Sequence, residues 1–268
     1  MKRLFISVLM FLSLGQIVAQ NDISNSHIDI KSPEISYNVK YKGTKNDHGK
    51  FHGEGICMWK NGDRFEGNFE NGVINGYGVY SWSDGDIYQG QFENGEQDGY
   101  GKAFYKDNCN VYEGEWKDGK RNGFGKLTWA NGDIYEGQWK DDVRTGMGIF
   151  IGANGDRYEG TYENGLRNGY GIYIFANGDK YEGNWLNGER EGLGKYTYTN
   201  GDVYEGQFSN SKICGHGHIK YANGADYDGD FKDDMRNGYG TYALSTGKVI
   251  SGNWKDNRFA GNLYIATR

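Results

Sequence analysis

Apolar and polar residues alternate in short runs along this chain, and the runs return at a fixed interval. In YEGQW at 135–139, alternation places Tyr135, Gly137 and Trp139 on one face of a strand and Glu136 and Gln138 on the other. In GFGKLTW at 123–129 the same rule groups Gly123, Gly125, Leu127 and Trp129, and turns Phe124, Lys126 and Thr128 the opposite way. No helical period competes with this pattern. Asn-Gly pairs separate the runs, among them Asn61-Gly62, Asn71-Gly72, Asn131-Gly132 and Asn164-Gly165. Both residues tolerate the positive φ of a type I′ turn, so each pair predicts a hairpin. The glycines leave room for a ring to lie flat on backbone.

The aromatic of each Tyr-x-Gly serves as a marker. It recurs at Tyr41, Phe65, Tyr88, Tyr112, Tyr135, Tyr158, Tyr181, Tyr204, Tyr227 and, degenerately, Ile250, always 23 or 24 residues apart. A fixed period of this length predicts an array in which each unit touches only its neighbours. One hairpin is marginal in water, but stacked copies bury their rings against each other. The columns expected to do this include Tyr112, Tyr135, Tyr158 and Tyr181, and beside them Trp116, Trp139, Tyr162 and Trp185. The predicted fold is all-β: an elongated single-layer antiparallel sheet of about ten stacked β-hairpins, roughly 85 Å long at about 4.8 Å per strand. One extra residue between Gly43 and Gly53, the DNCNV at 107–111 and the SNSKICGHGH at 209–218 depart from the repeat. They are expected to be kinks, bulges or contact points, and the sequence leaves open which.

The array fills 41–261. Residues 1–19 have Lys2 and Arg3, an apolar run from Leu4 to Leu14, and Ala19 before a cut, the pattern of a cleaved signal peptide. The expected location is therefore exported: periplasmic, cell-surface or secreted. Residues 20–40 are expected to be a polar linker and N-terminal cap, and 262–268 a C-terminal cap covering an edge strand.

Composition fits an array more than a deep aliphatic core, with 45 Gly, one Pro and 16% aromatic residues. The formal charge is −6, and it becomes −8 without the two cations of residues 1–19. An acidic chain is not built for nucleic acid, and no nucleic-acid partner is expected. Cys57, Cys109 and Cys214 stand at unlike places in the repeat, and Cys57 and Cys109 are about two units apart, beyond disulfide reach.

The pattern YEGxW, NG, GYG, NGD at a 23-residue period resembles the MORN repeat (membrane occupation and recognition nexus), over about residues 41–261. The resemblance implies a single-layer sheet of hairpins curved along a groove, with no catalytic activity of its own. Such repeats occur in junctophilins, plant phosphatidylinositol phosphate kinases and a SET-class lysine methyltransferase, where chemistry or anchoring belongs to another domain.

Candidate chemistry is sparse. His216 and His218 share a strand face without a third ligand, and no metal or cofactor is expected. GFGK and GLGK lack the following helix and Lys-Ser/Thr of a phosphate loop. Aspartates such as Asp133 and Asp156 read as turn residues, and glutamates such as Glu136 and Glu159 as a solvated ladder. Arg121, Arg144, Arg167, Arg190 and Arg236 recur nine residues after the marker. They form either a track for an anionic partner or a set of charges paired with nearby acids. The expected function is a non-enzymatic binding or scaffold protein that presents an extended surface to a protein or peptide partner outside the cytoplasm. The alternative is a glycan, cell-envelope or lipid-binding module that uses aromatic groove residues. The sequence leaves the oligomeric state open.

Overall fold

The computed structural model describes residues 39–261 and 265–267. The proposed signal peptide and almost all of the linker and cap at 20–40 lie outside the described residues. Twenty-one strands, β1 (Lys40–Lys45) to β21 (Ile265–Thr267), form one antiparallel sheet, and no helix occurs among the described residues. From β1 to β19 (Lys248–Lys255) each strand pairs with the next in chain order, the meander that stacked hairpins require. At the C-terminal end, β20 (Arg258–Phe259) and β21 both pair with β19.

One glycine row crosses the sheet. Gly101 pairs with Gly114, Gly114 with Gly125, Gly125 with Gly137 and Gly137 with Gly148, and the same pairing runs through neighbouring units. A side chain here would meet a ring, since a Cβ on Gly125 would overlap the Tyr112 phenol. The marker rings lie on this row, and those of Phe65, Tyr88, Tyr112, Tyr135, Tyr158, Tyr181, Tyr204 and Tyr227 are fully buried. Each of these tyrosines donates its hydroxyl to the carbonyl three residues on, as Tyr135 does to Gln138 at 3.1 Å.

The second ring column interlocks with the first edge to face. Trp139 meets Tyr112 at 5.6 Å and Tyr135 at 5.2 Å, with ring planes at 88° and 89°. The chain of contacts passes on through Tyr162, Tyr158, Trp185 and Tyr181. Edge-to-face pairs of this geometry add about 0.5–1.5 kcal/mol each beyond area burial. A single layer thus obtains a continuous ring core on one face.

The turns differ from the expectation of one type throughout. Asn71-Gly72, Asn94-Gly95, Asn164-Gly165 and Asn187-Gly188 have positive φ at both residues, as type I′ requires. At Asn61-Gly62, Asn131-Gly132 and Asn154-Gly155 only the glycine is positive. There the amide of Gly132 donates to Trp129 and that of Trp129 to Asp133, giving the longer hairpin loop with an αL glycine. The two ends of each hairpin therefore use the same dipeptide in two conformations. Of the departures, Asn210-Ser211 makes an ordinary I′ turn, and in DNCNV Cys109 takes the αL place at φ 54°.

Bulges are regular rather than confined to those departures. Gly114 pairs with Gly125, yet Trp116 pairs with Arg121, which puts two extra residues on the returning strand. The same shift separates Gly160–Gly171 from Tyr162–Arg167.

Candidate functional site

The polar residues of the repeat divide between joints that hold neighbouring units and an open face. The first joint is the aspartate of Asn-Gly-Asp. Asp156 accepts the Ala176 amide at 2.7 Å and the Tyr173 hydroxyl at 2.7 Å, both from the next unit. Asp179 repeats this with Thr199 and Tyr196. Asn110 fills the same role in the DNCNV unit through the Ala130 amide.

The second joint is the arginine column. Arg121 and Arg144 are buried, at 5% and 7% exposure. Their guanidiniums lie on rings of the following unit: Arg121 is 4.4 Å from Trp139, Arg144 5.6 Å from Tyr162, Arg167 4.4 Å from Trp185, Arg190 5.4 Å from Phe208 and Arg236 4.5 Å from Trp254. Each Nη2 donates to a carbonyl of the next I′ turn: Asp142 at 3.0 Å, Gly165 at 2.8 Å, Gly188 at 2.9 Å, Ser211, and Asn257 at 2.9 Å. Arg121 also pairs with the Asp142 carboxylate at 2.8 Å. This geometry corrects the reading of the column as an open track. The side chains face the ring core, where stacking and charge-assisted hydrogen bonds offset their desolvation.

Burial of the rings also fixes their acid–base behaviour. Removal from water pushes the Tyr181 and Tyr227 hydroxyls up to about 12, with Arg190 and Arg236 pulling partly the other way. Tyr135 and Tyr158 are raised further by the same cause.

The open face is built by the bulges. The residue between the two glycines of each Gly-x-Gly is aimed outward there: Tyr77, Tyr100, Phe124, Met147, Tyr170 and Leu193 are 51–65% exposed. A polar side chain opposite plugs several bulges, as Gln138 Oε1 accepts the Met147 amide at 3.0 Å and Gln91 Oε1 the Tyr100 amide at 3.0 Å. The outward residue is therefore held by backbone, not left to a loose loop. At the next position in the series stands His216, 3.3 Å from Asp228 and 3.5 Å from Asp230. The apolar row is interrupted there. Sequence alternation had placed Phe124 on this face without marking the row.

The MORN repeat model matches nine segments: 47–64, 65–87, 88–110, 112–134, 135–157, 158–180, 181–203, 204–225 and 227–249. The chain belongs to the MORN-repeat family. Its first unit is matched only from residue 47, and the short piece after 249 not at all. No curated protein matches the sequence. Among solved structures, MORN hairpins of this chain resemble the TCP10 domain of Danio rerio CPAP in complex with a STIL peptide, at 11% identity over 85% of this chain and 100% of that one, with a TM-score of 0.48. The Drosophila melanogaster SAS-4 TCP domain, in complex with a proline-rich motif of Ana2, matches at 14% identity over 72% and 90%, with a TM-score of 0.35. A virginiamycin B lyase of Staphylococcus aureus covers 85% of this chain and 73% of its own at 13% identity, with a TM-score of 0.15. At these values they carry nothing about partners to this chain.

Proposed function

We propose that this MORN-repeat protein is a non-enzymatic binding scaffold, exported by its N-terminal segment, which presents its open face to a protein partner outside the cytoplasm. One observation carries the reading: six large apolar side chains, Tyr77 to Leu193, stand half or more exposed in one row, held there by bulges. Large apolar side chains held in solvent at regular intervals mark an interaction surface. The repeat's buried arginines and its turn aspartates are committed to joints between units. Export rests on Lys2, Arg3 and the Leu4–Leu14 run.

The test is site-specific photo-crosslinking in cells of the source. A photoreactive residue at Phe124 or Tyr170 is expected to yield adducts with another polypeptide, whereas one at the turn residue Asp233 is not. Adducts only with glycan or lipid would shift the reading to the alternative module, and turnover of a substrate by the purified protein would overturn it.

A further inference from the structure

Asparagine before glycine is prone to spontaneous deamidation, because no side chain on the glycine hinders its nitrogen on the way to the asparagine Cγ. The fold holds this dipeptide in two ways, which differ in what must break before that attack. We infer that Asn94-Gly95, in the turn between β5 (Ile87–Glu93) and β6 (Glu96–Tyr105), is a site of self-modification. Asn164-Gly165 and Asn187-Gly188 react more slowly, and the asparagines of the longer loops are protected. The inference goes beyond the binding reading and does not depend on it. In the longer loops, Asn131 Oδ1 accepts the Asp133 amide at 3.0 Å, its Nδ2 donates to the Asp133 carboxylate at 2.8 Å, and the Gly132 amide donates to the Trp129 carbonyl at 2.9 Å. Three bonds must open there, and Asn154 and Asn177 repeat the set. In the I′ turns Asn94, Asn164 and Asn187 are exposed, and no hydrogen bond holds their side chains among the described residues. Only the glycine amide is tied, as that of Gly95 is to the Ile74 carbonyl at 2.9 Å.

The arginine column ranks the turns. Arg144 Nη2 donates to the Gly165 carbonyl at 2.8 Å and Arg167 Nη2 to the Gly188 carbonyl at 2.9 Å, so both ends of each glycine are tied to the preceding unit. Ile74 stands at that place for Gly95 and has no side-chain donor to offer. Phe51 stands there for Gly72, but Asn71 Oδ1 accepts the Asn46 side-chain amide at 3.0 Å. Asn94 is thus the least restrained. With its proton lost to hydroxide, the Gly95 nitrogen attacks Asn94 Cγ and expels ammonia, closing a succinimide ring that water opens at either carbonyl. Attack at Cγ leaves aspartate, which fits, since Asp118 holds the same place in its turn at φ 47° with Gly119 at 75°. Attack at the backbone carbonyl leaves isoaspartate, whose main chain runs through the former side chain and is longer by a carbon. A two-residue turn has no slack for that carbon. Isoaspartate therefore breaks the Gly95–Ile74 bond, which joins the unit at 88–110 to the unit at 65–87.

The test is peptide mapping by mass spectrometry after the purified chain is incubated at mildly alkaline pH in heavy-oxygen water, which labels each opened ring. The peptide containing Asn94 is expected to take up label first. Asn131, Asn154 and Asn177, with two further bonds to break, should lag by about tenfold or more, and Asn164 and Asn187 should fall between. In urea, where the turns are gone, these differences should vanish. Arg144→Gln removes the clamp on Gly165 and places there the residue that Gln97 already puts at the equivalent position. It should speed Asn164 by about threefold or more while Asn94 keeps its rate. A thermal melt checks that the variant is folded. Asn94→Asp should melt as the parent does, whereas the aged isoaspartate form should melt lower. Loop asparagines that react as fast as Asn94 in the folded chain, an order of rates that persists in urea, or no reaction at Asn94 would overturn the inference. An Asn164 rate indifferent to Arg144→Gln in the folded variant would overturn the ranking by arginine, and with it the choice of Asn94.

Discussion

The guanidinium of Arg121 lies 4.4 Å from the Trp139 ring, and its Nη2 donates to the Asp142 carbonyl 3.0 Å away. Arg121 belongs to the unit at 112–134 and both partners to the unit at 135–157. One side chain thus ties two repeats by stacking and by satisfying a turn carbonyl. In an array where each unit contacts only its neighbours, such a tie sets the coupling between them.

Charge reversal in this column should be costly. Arg144→Glu leaves a buried carboxylate on the rings of Tyr135 and Tyr162 and removes the donor to Gly165. A loss of about 3–5 kcal/mol is expected, the range for breaking a buried charged interaction. Urea unfolding measures it. A loss below about 1 kcal/mol, the worth of an exposed charge, would return the arginines to the surface.

Gln97 occupies the arginine place one unit earlier. It is fully buried, and neither Nε2 nor Oε1 has a hydrogen-bond partner. The same place holds Ile74 and Ile213, both buried, so the slot accepts an apolar side chain. Gln97→Ile should stabilise by about 1–2 kcal/mol by removing two unsatisfied groups. A lower denaturation midpoint for the variant would show that the amide is satisfied after all.

The ring core was legible because its signal is local: parity along a strand put Tyr135, Gly137 and Trp139 together, and their burial agrees. Parity also put Arg121 on the side of Gly123 and Gly125. Its charge argued for solvent, since arginine is rarely buried unless paired. Its partners lie 18 and 21 residues on and become visible only when units stack. The two conformations of Asn-Gly were hidden for a related reason. The dipeptide is the same at Asn164-Gly165 and Asn154-Gly155, and the pairing of the flanking strands decides the turn. Parity had already turned Phe124 away from the ring face; the open row escaped notice because the exposure of its equivalents Tyr77, Tyr100, Met147, Tyr170 and Leu193 shows only once the units are stacked.

Cys109 tests the turn chemistry. It sits at φ 54°, where the equivalent loops carry glycine, as at Gly132 and Gly155. A left-handed conformation costs a side-chain-bearing residue about 1–2 kcal/mol. Cys109→Gly should recover roughly 1 kcal/mol, less the entropy that glycine restores to the unfolded chain. Thermal melts under reducing conditions measure the gain, and an unchanged or lower midpoint would place the strain elsewhere.

Alkaline pH should unfold the array from within. An unfolded tyrosine ionises near pH 10, whereas burial raises Tyr162, Tyr181 and Tyr227 to about 12 and Tyr135 and Tyr158 higher. Above pH 10 the unfolded chain therefore holds fewer protons than the folded one, and stability falls as pH rises. Each such tyrosine contributes a slope of about 1.4 kcal/mol per pH unit until its folded pKa is reached. With five named here the combined slope is about 7 kcal/mol per unit, enough to exhaust the 5–15 kcal/mol of an ordinary domain between about pH 10.5 and 12. Phenolate absorbance and circular dichroism followed through this window should change together for these buried rings. A phenolate signal for all of the tyrosines that saturates while the strand spectrum stays intact would mean that the ring columns are open to water.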